Sequence, residues 1–167
     1  MFYRFIAQLK FIFTSTNQHG VHSPFIYNFV TKCLYKRLNF KGPKAIRVLI
    51  KSITYFKAKK VNIPSNDMYA ISQVKNTFPQ IEFDNHPCDI LYLAWPNAEL
   101  FRGGIKDNLF HNNTMILVEN IHQNKENTDI WELMKVNEKV TVSVDMFHCG
   151  VLFLRKEQAK EHFKIRI

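Results

Sequence analysis

The sequence predicts an α/β domain whose sheet is mostly parallel and which follows a basic helical segment at the N-terminus. From residue 59 onward, short apolar runs alternate with segments of helical periodicity, a pattern typical of strands joined by crossover helices. The chain has 167 residues and a hydrophobic content of 46%, which is enough for one domain with a buried core. Its 5 Gly and 6 Pro are few for an all-β barrel or sandwich, because those folds need many turns.

Residues 1–58 are predicted to form the basic helical segment. We expect an amphipathic helix at the start, a second helix that begins at Ser23-Pro24 with a serine N-cap, and a third from Lys44 to Phe56. The first helix is expected to pack on the domain or on a second copy, as a homodimer, and membrane-surface binding is the alternative. It is too short and too polar for a transmembrane segment, and no signal-peptide cleavage site follows it.

The net charge of +9 is concentrated in this part of the chain. Residues 1–66 carry twelve Lys or Arg and no Asp or Glu. This balance is compatible with a nucleic acid, an anionic surface or an acidic partner, but the dispersed lysines favour an ordinary solvated helical face or one that docks on the mildly acidic domain. The three cysteines are far apart and form no C-x-x-C pair, which predicts reduced thiols in a cytoplasmic protein without a disulfide framework or a zinc site.

The α/β domain is predicted over residues 59–167. Strands are expected at 60–63, 81–84, 89–95 and 114–118, and helices at 68–78, 97–110 and 128–136. The runs 140–145 and 151–154 flank a turn and predict an antiparallel hairpin, followed by a charged tail at 156–167. Asp67 is expected to cap the helix after the first strand, and Trp95 and Trp131 are expected to be packing residues.

Stretches near both ends of the chain resemble a known family. His19-Gly-Val-His-Ser-Pro-Phe25 precedes Ile26-Tyr-Asn-Phe-Val30, and the hairpin residues 140–147 are followed by 150–158 and 161–167. With the order of elements, these stretches are similar to a bacterial subfamily of class I S-adenosylmethionine-dependent methyltransferases that also has a basic helical N-terminus. The resemblance covers most of the chain and implies a Rossmann-like sheet that ends in an antiparallel hairpin.

The resemblance places a cofactor site at the ends of the first two strands. The family has a glycine-containing turn after the first strand, whereas Ile63 and Ser65 lie here in a turn without glycine. Proline and larger side chains take the room that a cofactor would need there. Either Glu82 or Asp84 corresponds to the acidic residue that binds the ribose hydroxyls in the family, and Asp84 is the better placed.

The resemblance also implies losses around the reacting groups. A segment of the cofactor pocket is missing after Pro87, and Ala94 stands where the family has a carboxylate near the transferred methyl group. Of the acids that precede an Ile-His pair in the family, Glu119 remains, followed by Asn120 and His122. Glu119 and His122 are the candidate catalytic residues, and Glu119 and Asn120 the candidate metal ligands; alternatively, Asn120 and His122 cap the loop and the next helix.

These departures predict a shortened family member that has lost cofactor binding and catalysis and is retained as a binding or interaction module, with no cofactor. One alternative is an active small-molecule methyltransferase that binds S-adenosylmethionine through Ile63, Ser65 and Asp84. A second alternative is nucleic-acid or anionic-surface binding through the basic N-terminal segment.

Overall fold

A computed structural model describes residues 2–167, which fold around one six-stranded mixed sheet. The helices are α1 (Phe2–Thr14), α2 (Pro24–Phe29), α3 (Lys44–Phe56), α4 (Met68–Thr77), α5 (Ala98–Lys106) and α6 (Lys125–Val136). The strands are β1 (Val61–Asn62), β2 (Cys88–Leu93), β3 (Phe110–Glu119), β4 (Val142–Asp145), β5 (Cys149–Phe153) and β6 (Glu161–Lys164). A short 3-10 turn covers Gln18–Gly20, and α2 continues into a π-helical turn at Val30–Leu34.

The strands are arranged in the order β1-β2-β3-β5-β4-β6. The pairs β1–β2, β2–β3 and β4–β6 are parallel, whereas β5 runs antiparallel to both β3 and β4. Within residues 2–167, β5 is therefore the one reversed strand of the sheet. The predicted α/β class, with a mostly parallel sheet and an antiparallel hairpin near the C-terminus, is confirmed.

Alternating side chains of the central strands divide the core into two layers. Ile90 and Tyr92 of β2 face a cluster that contains the buried side chains of α2, α3 and α4. Leu91 and Leu93 face the other cluster, which contains those of α5 and α6. The sheet thus lies between two layers of helices, which explains the uninterrupted apolar run of β2.

The helices α2 and α3 of the basic N-terminal segment belong to the same core as the sheet. Phe29 of α2, for example, packs edge to face on Phe153 of β5 with ring centroids 5.5 Å apart. The helix α1 is different, because Phe11 is its one buried side chain among the described residues. Nowhere in residues 2–167 is there a helix that combines the length and the apolar character needed to cross a bilayer.

Side-chain caps fix the starts of four helices. The hydroxyl of Ser23 accepts a hydrogen bond from the Ile26 N–H at 3.4 Å, and Asp67 accepts one from the Ala70 N–H at 2.9 Å, as predicted. The side chains of Asn97 and Asn124 cap α5 and α6 in the same way. The Asn124 cap starts α6 three residues earlier than predicted.

Two predictions about the strands are wrong. The strand expected at 81–84 is reduced to an isolated bridge between Lys60 and Glu82, and the chain then turns away at Asp84, whose φ is 54°. The charged tail contains β6, which pairs with β4, and Ile165 then bridges to Thr16. As an edge strand, β6 alternates half-buried and exposed residues and is rich in charge, so it lacks an apolar run.

The two tryptophans differ in their environments. Trp131 of α6 is fully buried, as predicted, and packs over Gly150 of β5. A Cβ atom at Gly150 would lie 2.5 Å from Cη2 and Cζ2 of Trp131 and 3.1 Å from Cδ1 of Ile121, so glycine permits this close approach of helix and strand. Trp95, also predicted to be a packing residue, is 53% exposed, so about half of its surface is left unpacked.

Candidate functional site

The carboxyl ends of β1, β2, β3 and β4 lie along one edge of the sheet, because these strands run in the same direction. Ligands of open α/β sheets bind at this edge. The segments that leave the strands there are 63–67, 94–97, 119–122 and 145–148, and we call them the carboxyl edge. The predicted site residues Glu119, Asn120 and His122 all lie on it.

Glu119 is held by the neighbouring strand. The phenol of Tyr92, which is 1% exposed, donates a short hydrogen bond to Oε2 of Glu119. Burial raises the pKa of the Glu119 carboxyl; the Tyr92 bond opposes that rise, and the negative charge of Asp67 adds to it. The pKa of the Tyr92 phenol is raised as well, mainly by burial and to a smaller extent by the bond to Glu119. A raised carboxyl pKa is typical of acid–base residues, but here one oxygen already serves a structural bond.

Asn120 joins the ends of β2 and β3. Its Nδ2 donates to the Ala94 carbonyl oxygen at 3.0 Å, and its backbone carbonyl oxygen accepts a hydrogen bond from Nδ2 of Asn127 at 2.9 Å. Its backbone has a φ of 58°, a left-handed conformation that asparagine tolerates better than most residues. The amide proposed as a metal ligand is therefore engaged in closing the loop.

His122 is locked between two polar partners. Its Nε2 lies 2.7 Å from Oδ2 of Asp145, and its Nδ1 lies 3.1 Å from the Thr128 hydroxyl. The side chains of His122 and Asp145 are only 11% and 2% exposed, and the imidazole stacks on Phe147 with centroids 5.5 Å apart. Both ring nitrogens therefore have partners within the fold, and these contacts fix the orientation of the imidazole.

The remaining predicted cofactor residues do not form a cradle. Ile63 is buried in the core, whereas Ser65 and Asp84 are exposed on the surface. The turn between β1 and α4 is closed by the Asp67 N–H, which donates to the Pro64 carbonyl oxygen at 2.9 Å, and by the cap that Asp67 makes on α4. The backbone groups of this turn thus serve the fold.

The helix α1 lies over the β3–β4 part of the carboxyl edge. The rings of Phe11 and Phe147 are 5.6 Å apart, and Nη2 of Arg4 lies 3.5 Å from Nδ1 of His148. A cavity of about 230 Å³ remains between α1 and the edge, with His122 in its wall. Access to His122 is therefore through a small opening beside α1.

The donor set of this edge does not fit a metal ion. No group of three or more His, Cys, Asp or Glu side chains with metal-binding geometry occurs in the part of the chain that the structure describes. Oε2 of Glu119 already accepts the Tyr92 bond, and the bond from Nδ2 of Asn120 to the Ala94 carbonyl oxygen fixes the orientation of that amide. Chemically, the edge is a set of paired polar groups that hold the strand ends together.

A second concave surface is strongly basic. A cleft of about 340 Å³ lies between the loop after α2, the helix α3 and the C-terminal residues. Its cationic side chains, which define the basic cleft, are Lys36, Arg37, Lys44, Arg47, Lys51 and Arg166. Among the described residues that line it, none carries an acidic side chain.

The cations of the basic cleft repel one another. Lys51 donates to the Leu34 carbonyl oxygen at 2.5 Å, and burial, together with the charge of Arg47, lowers the pKa of its ammonium group. An anion in the cleft would offset both the desolvation of the Lys51 ammonium group and the repulsion between the cations. The arrangement therefore favours binding of a negatively charged group.

Sequence reasoning missed three parts of these sites. Asp145 ends an alternating strand, so its place at the carboxyl edge was a usable signal for a partner of His122. Tyr92 lies inside an apolar run that gives no sign of its hydrogen bond. Arg166 comes from the segment predicted as a charged tail, and only β6 brings it beside α3.

Comparison with protein-family models, with curated proteins and with solved structures finds no match for this chain. The methyltransferase resemblance thus remains an expectation from the sequence, and functional conclusions depend on the geometry of the two sites.

Proposed function

We propose that this chain is a methyltransferase-like α/β domain whose cofactor edge is closed, and that it serves as a binding module without catalysis. The sheet supports the proposal, since the reversed strand β5 is the second strand of the C-terminal hairpin, as the resemblance implies. The short first strand and the isolated bridge at Glu82 agree with a shortened member of the family.

The observation that carries the proposal is the internal pairing of the polar groups on the carboxyl edge. Tyr92 bonds Glu119, Asn120 bonds the carbonyl group of Ala94, and His122 bonds Asp145. A cofactor with a ribose and an amino-acid part needs free donors and acceptors at this edge. Releasing them would leave buried polar groups without partners, at a cost of about 1–3 kcal/mol each.

Thermal unfolding with S-adenosylmethionine and with S-adenosylhomocysteine tests the proposal. A ligand present at about a hundredfold excess over its dissociation constant stabilises a protein by about 2.7 kcal/mol. We expect no saturable shift of the midpoint up to millimolar ligand. A saturable shift that Asp84→Ala and Glu119→Ala abolish would contradict the proposal and support the active methyltransferase instead.

The basic cleft supports a second candidate function, the binding of an anionic group. Six cationic side chains surround one cleft without an acidic side chain in its described lining. Isothermal titration with inorganic tripolyphosphate tests this candidate. We expect binding that weakens steeply between about 50 and 200 mM salt and that is lost in Arg37→Glu/Lys44→Glu. Absence of binding at 50 mM salt removes this candidate.

A further inference from the structure

The outward face of α1 is apolar, the reverse of an ordinary surface helix. With 3.6 residues per turn, Arg4, Ala7 and Phe11 lie on the face turned to the domain, and these are its half-buried or buried residues. The opposite face, an arc of about 120°, carries only apolar side chains. We call it the apolar stripe, and it consists of Phe2, Phe5, Ile6, Leu9, Ile12 and Phe13.

All six side chains of the apolar stripe are exposed to solvent. Phe5 is 60% exposed and Phe13 is 85% exposed. A contiguous exposed apolar surface of this kind marks a binding site, in contrast to single apolar residues scattered over a surface. We therefore treat the stripe as a binding surface.

Positive charge lies beside the stripe and behind it, on the face of α1 that is turned to the domain. The helix carries Arg4 and Lys10 and no acidic residue. A small concave surface beside α1 is lined by Ile12 of the stripe and also by Lys44 and Arg166, which belong to the basic cleft. The stripe and the cleft are thus neighbours, and together they present apolar and cationic groups.

A second copy of the chain fits this surface poorly. A helix of 13 residues presents a face about 20 Å long and about 10 Å wide. Each partner of a stable dimer buries roughly 800 Å² of accessible surface, so a dimer contact would have to extend from α1 onto the cationic surface beside it. Two copies would also bring the same cations close to each other without acidic partners from α1.

We propose that the apolar stripe and the basic cleft together bind the surface of an anionic lipid bilayer. The phenylalanines would insert among the acyl chains while the cleft cations contact lipid phosphates, so that α1 lies in the plane of the interface. One weak anchor gives only marginal binding, and the cleft supplies the second signal that stable attachment requires. This inference rests on anion binding by the cleft, the second candidate function, and names its partner.

Co-sedimentation of the full chain with vesicles tests the proposal. We expect binding to vesicles of phosphatidylcholine with about a third phosphatidylglycerol, at least tenfold tighter than to pure phosphatidylcholine. Phe5→Ser/Phe13→Ser is expected to weaken it more than tenfold. The matched control Leu100→Ser/Leu133→Ser removes two exposed leucines of other helices and should bind normally.

A second pair of variants tests the contribution of charge. Arg37→Glu/Lys44→Glu should weaken vesicle binding more than tenfold, whereas Lys139→Glu/Lys156→Glu changes the net charge equally at another cleft and should have a much smaller effect. All the substituted side chains are exposed, so folding is expected to persist, and circular dichroism checks this.

Three results would overturn the membrane proposal. Tripolyphosphate binding without vesicle binding would leave the anion-binding cleft standing and remove the membrane. Tighter binding to a single-stranded oligonucleotide than to anionic vesicles would identify nucleic acid as the partner. A dimer in sedimentation velocity that Phe5→Ser/Phe13→Ser dissociates would identify a second copy as the occupant.

Discussion

Replacing Gly150 with alanine is expected to destabilise the domain by about 2 kcal/mol. The new Cβ would lie 2.5 Å from two indole carbons of Trp131, about 1 Å closer than ordinary contact. Trp131 and Ile121 are both fully buried, and β5 is paired on both sides, so neither the ring nor the strand can move freely. Overpacking of this kind costs about 3 kcal/mol at its upper range, and the stiffer unfolded chain offsets about 0.5–1 kcal/mol.

The second variant, Trp131→Phe, identifies the source of the strain. It removes the outer part of the indole ring together with its N–H, which has no hydrogen-bond partner in residues 2–167. Losing that unpaired donor offsets part of the packing loss, so Trp131→Phe alone is expected to cost about 1 kcal/mol. In the double variant the added methyl group has room, so the two effects should be non-additive by about 1–2 kcal/mol.

Urea unfolding followed by far-UV circular dichroism measures these changes, and a loss of about 2 kcal/mol corresponds to about 4–8 °C in the melting temperature. Gly103→Ala is the matched control, since in the described chain its added Cβ would have no atom within 4 Å apart from those of its chain neighbours and the nearby backbone of its own helix. Gly103 is inside α5, so alanine should stabilise the domain by about 0.5–1 kcal/mol. Equal stability of Gly150→Ala and wild type, or strict additivity with Trp131→Phe, would refute the reasoning.

Three further predictions concern single groups. Burial alone would raise the pKa of Asp89, but the hydrogen bonds that its carboxylate accepts from the N–H groups of Lys60 and Lys59 and from His111 outweigh burial and lower that pKa. Asp89→Asn should therefore reduce the free energy of unfolding by about 1–2 kcal/mol at pH 7, and by progressively less as the pH falls below 4. The exposed control Asp129→Asn should leave urea unfolding nearly unchanged at either pH. The raised pKa of Glu119 means that its carboxyl binds a proton more tightly in the folded state than in the unfolded state. The contribution of this group to the free energy of unfolding should therefore fall as the pH rises above 4.5, and Glu119→Gln should flatten that pH dependence in urea titrations. Burial raises the pKa of two of the three cysteines to about 11, so a thiol reagent at pH 8 should label all three buried thiols only after unfolding; rapid labelling of the native protein would contradict their burial.

The sequence predicted the elements that carry a clear period or cap. The apolar run of β2, the alternation of β4 and the caps at Ser23 and Asp67 each reflect a local physical requirement that the residues themselves satisfy. These signals were sufficient for the fold class and for the position of the carboxyl edge.

The features that were missed depend on contacts between distant residues. The edge strand β6 has an exposed, charged pattern, and only its pairing with β4 makes it a strand. The pairing of His122 with Asp145 and of Tyr92 with Glu119 likewise joins residues more than 20 positions apart. A helical period in α1 predicted an amphipathic helix but could not say which face meets the domain.

The bridge between Thr16 and Ile165 joins the two ends of the described chain. The Thr16 N–H donates to the Lys164 carbonyl oxygen at 2.8 Å, and the Arg166 N–H donates to the Thr16 carbonyl oxygen at 3.1 Å. Forming this contact closes a loop that contains almost the whole domain. Because closing so long a loop of unfolded chain costs entropy, we expect the contact to form after the sheet has brought the two segments together. The contact is also the main backbone connection between the α1 region and the sheet. Its opening, together with loss of the contact between Phe11 and Phe147, would release α1 as a unit. Amide exchange should report that opening as fast exchange in α1 and β6 while β2 and β3 stay protected.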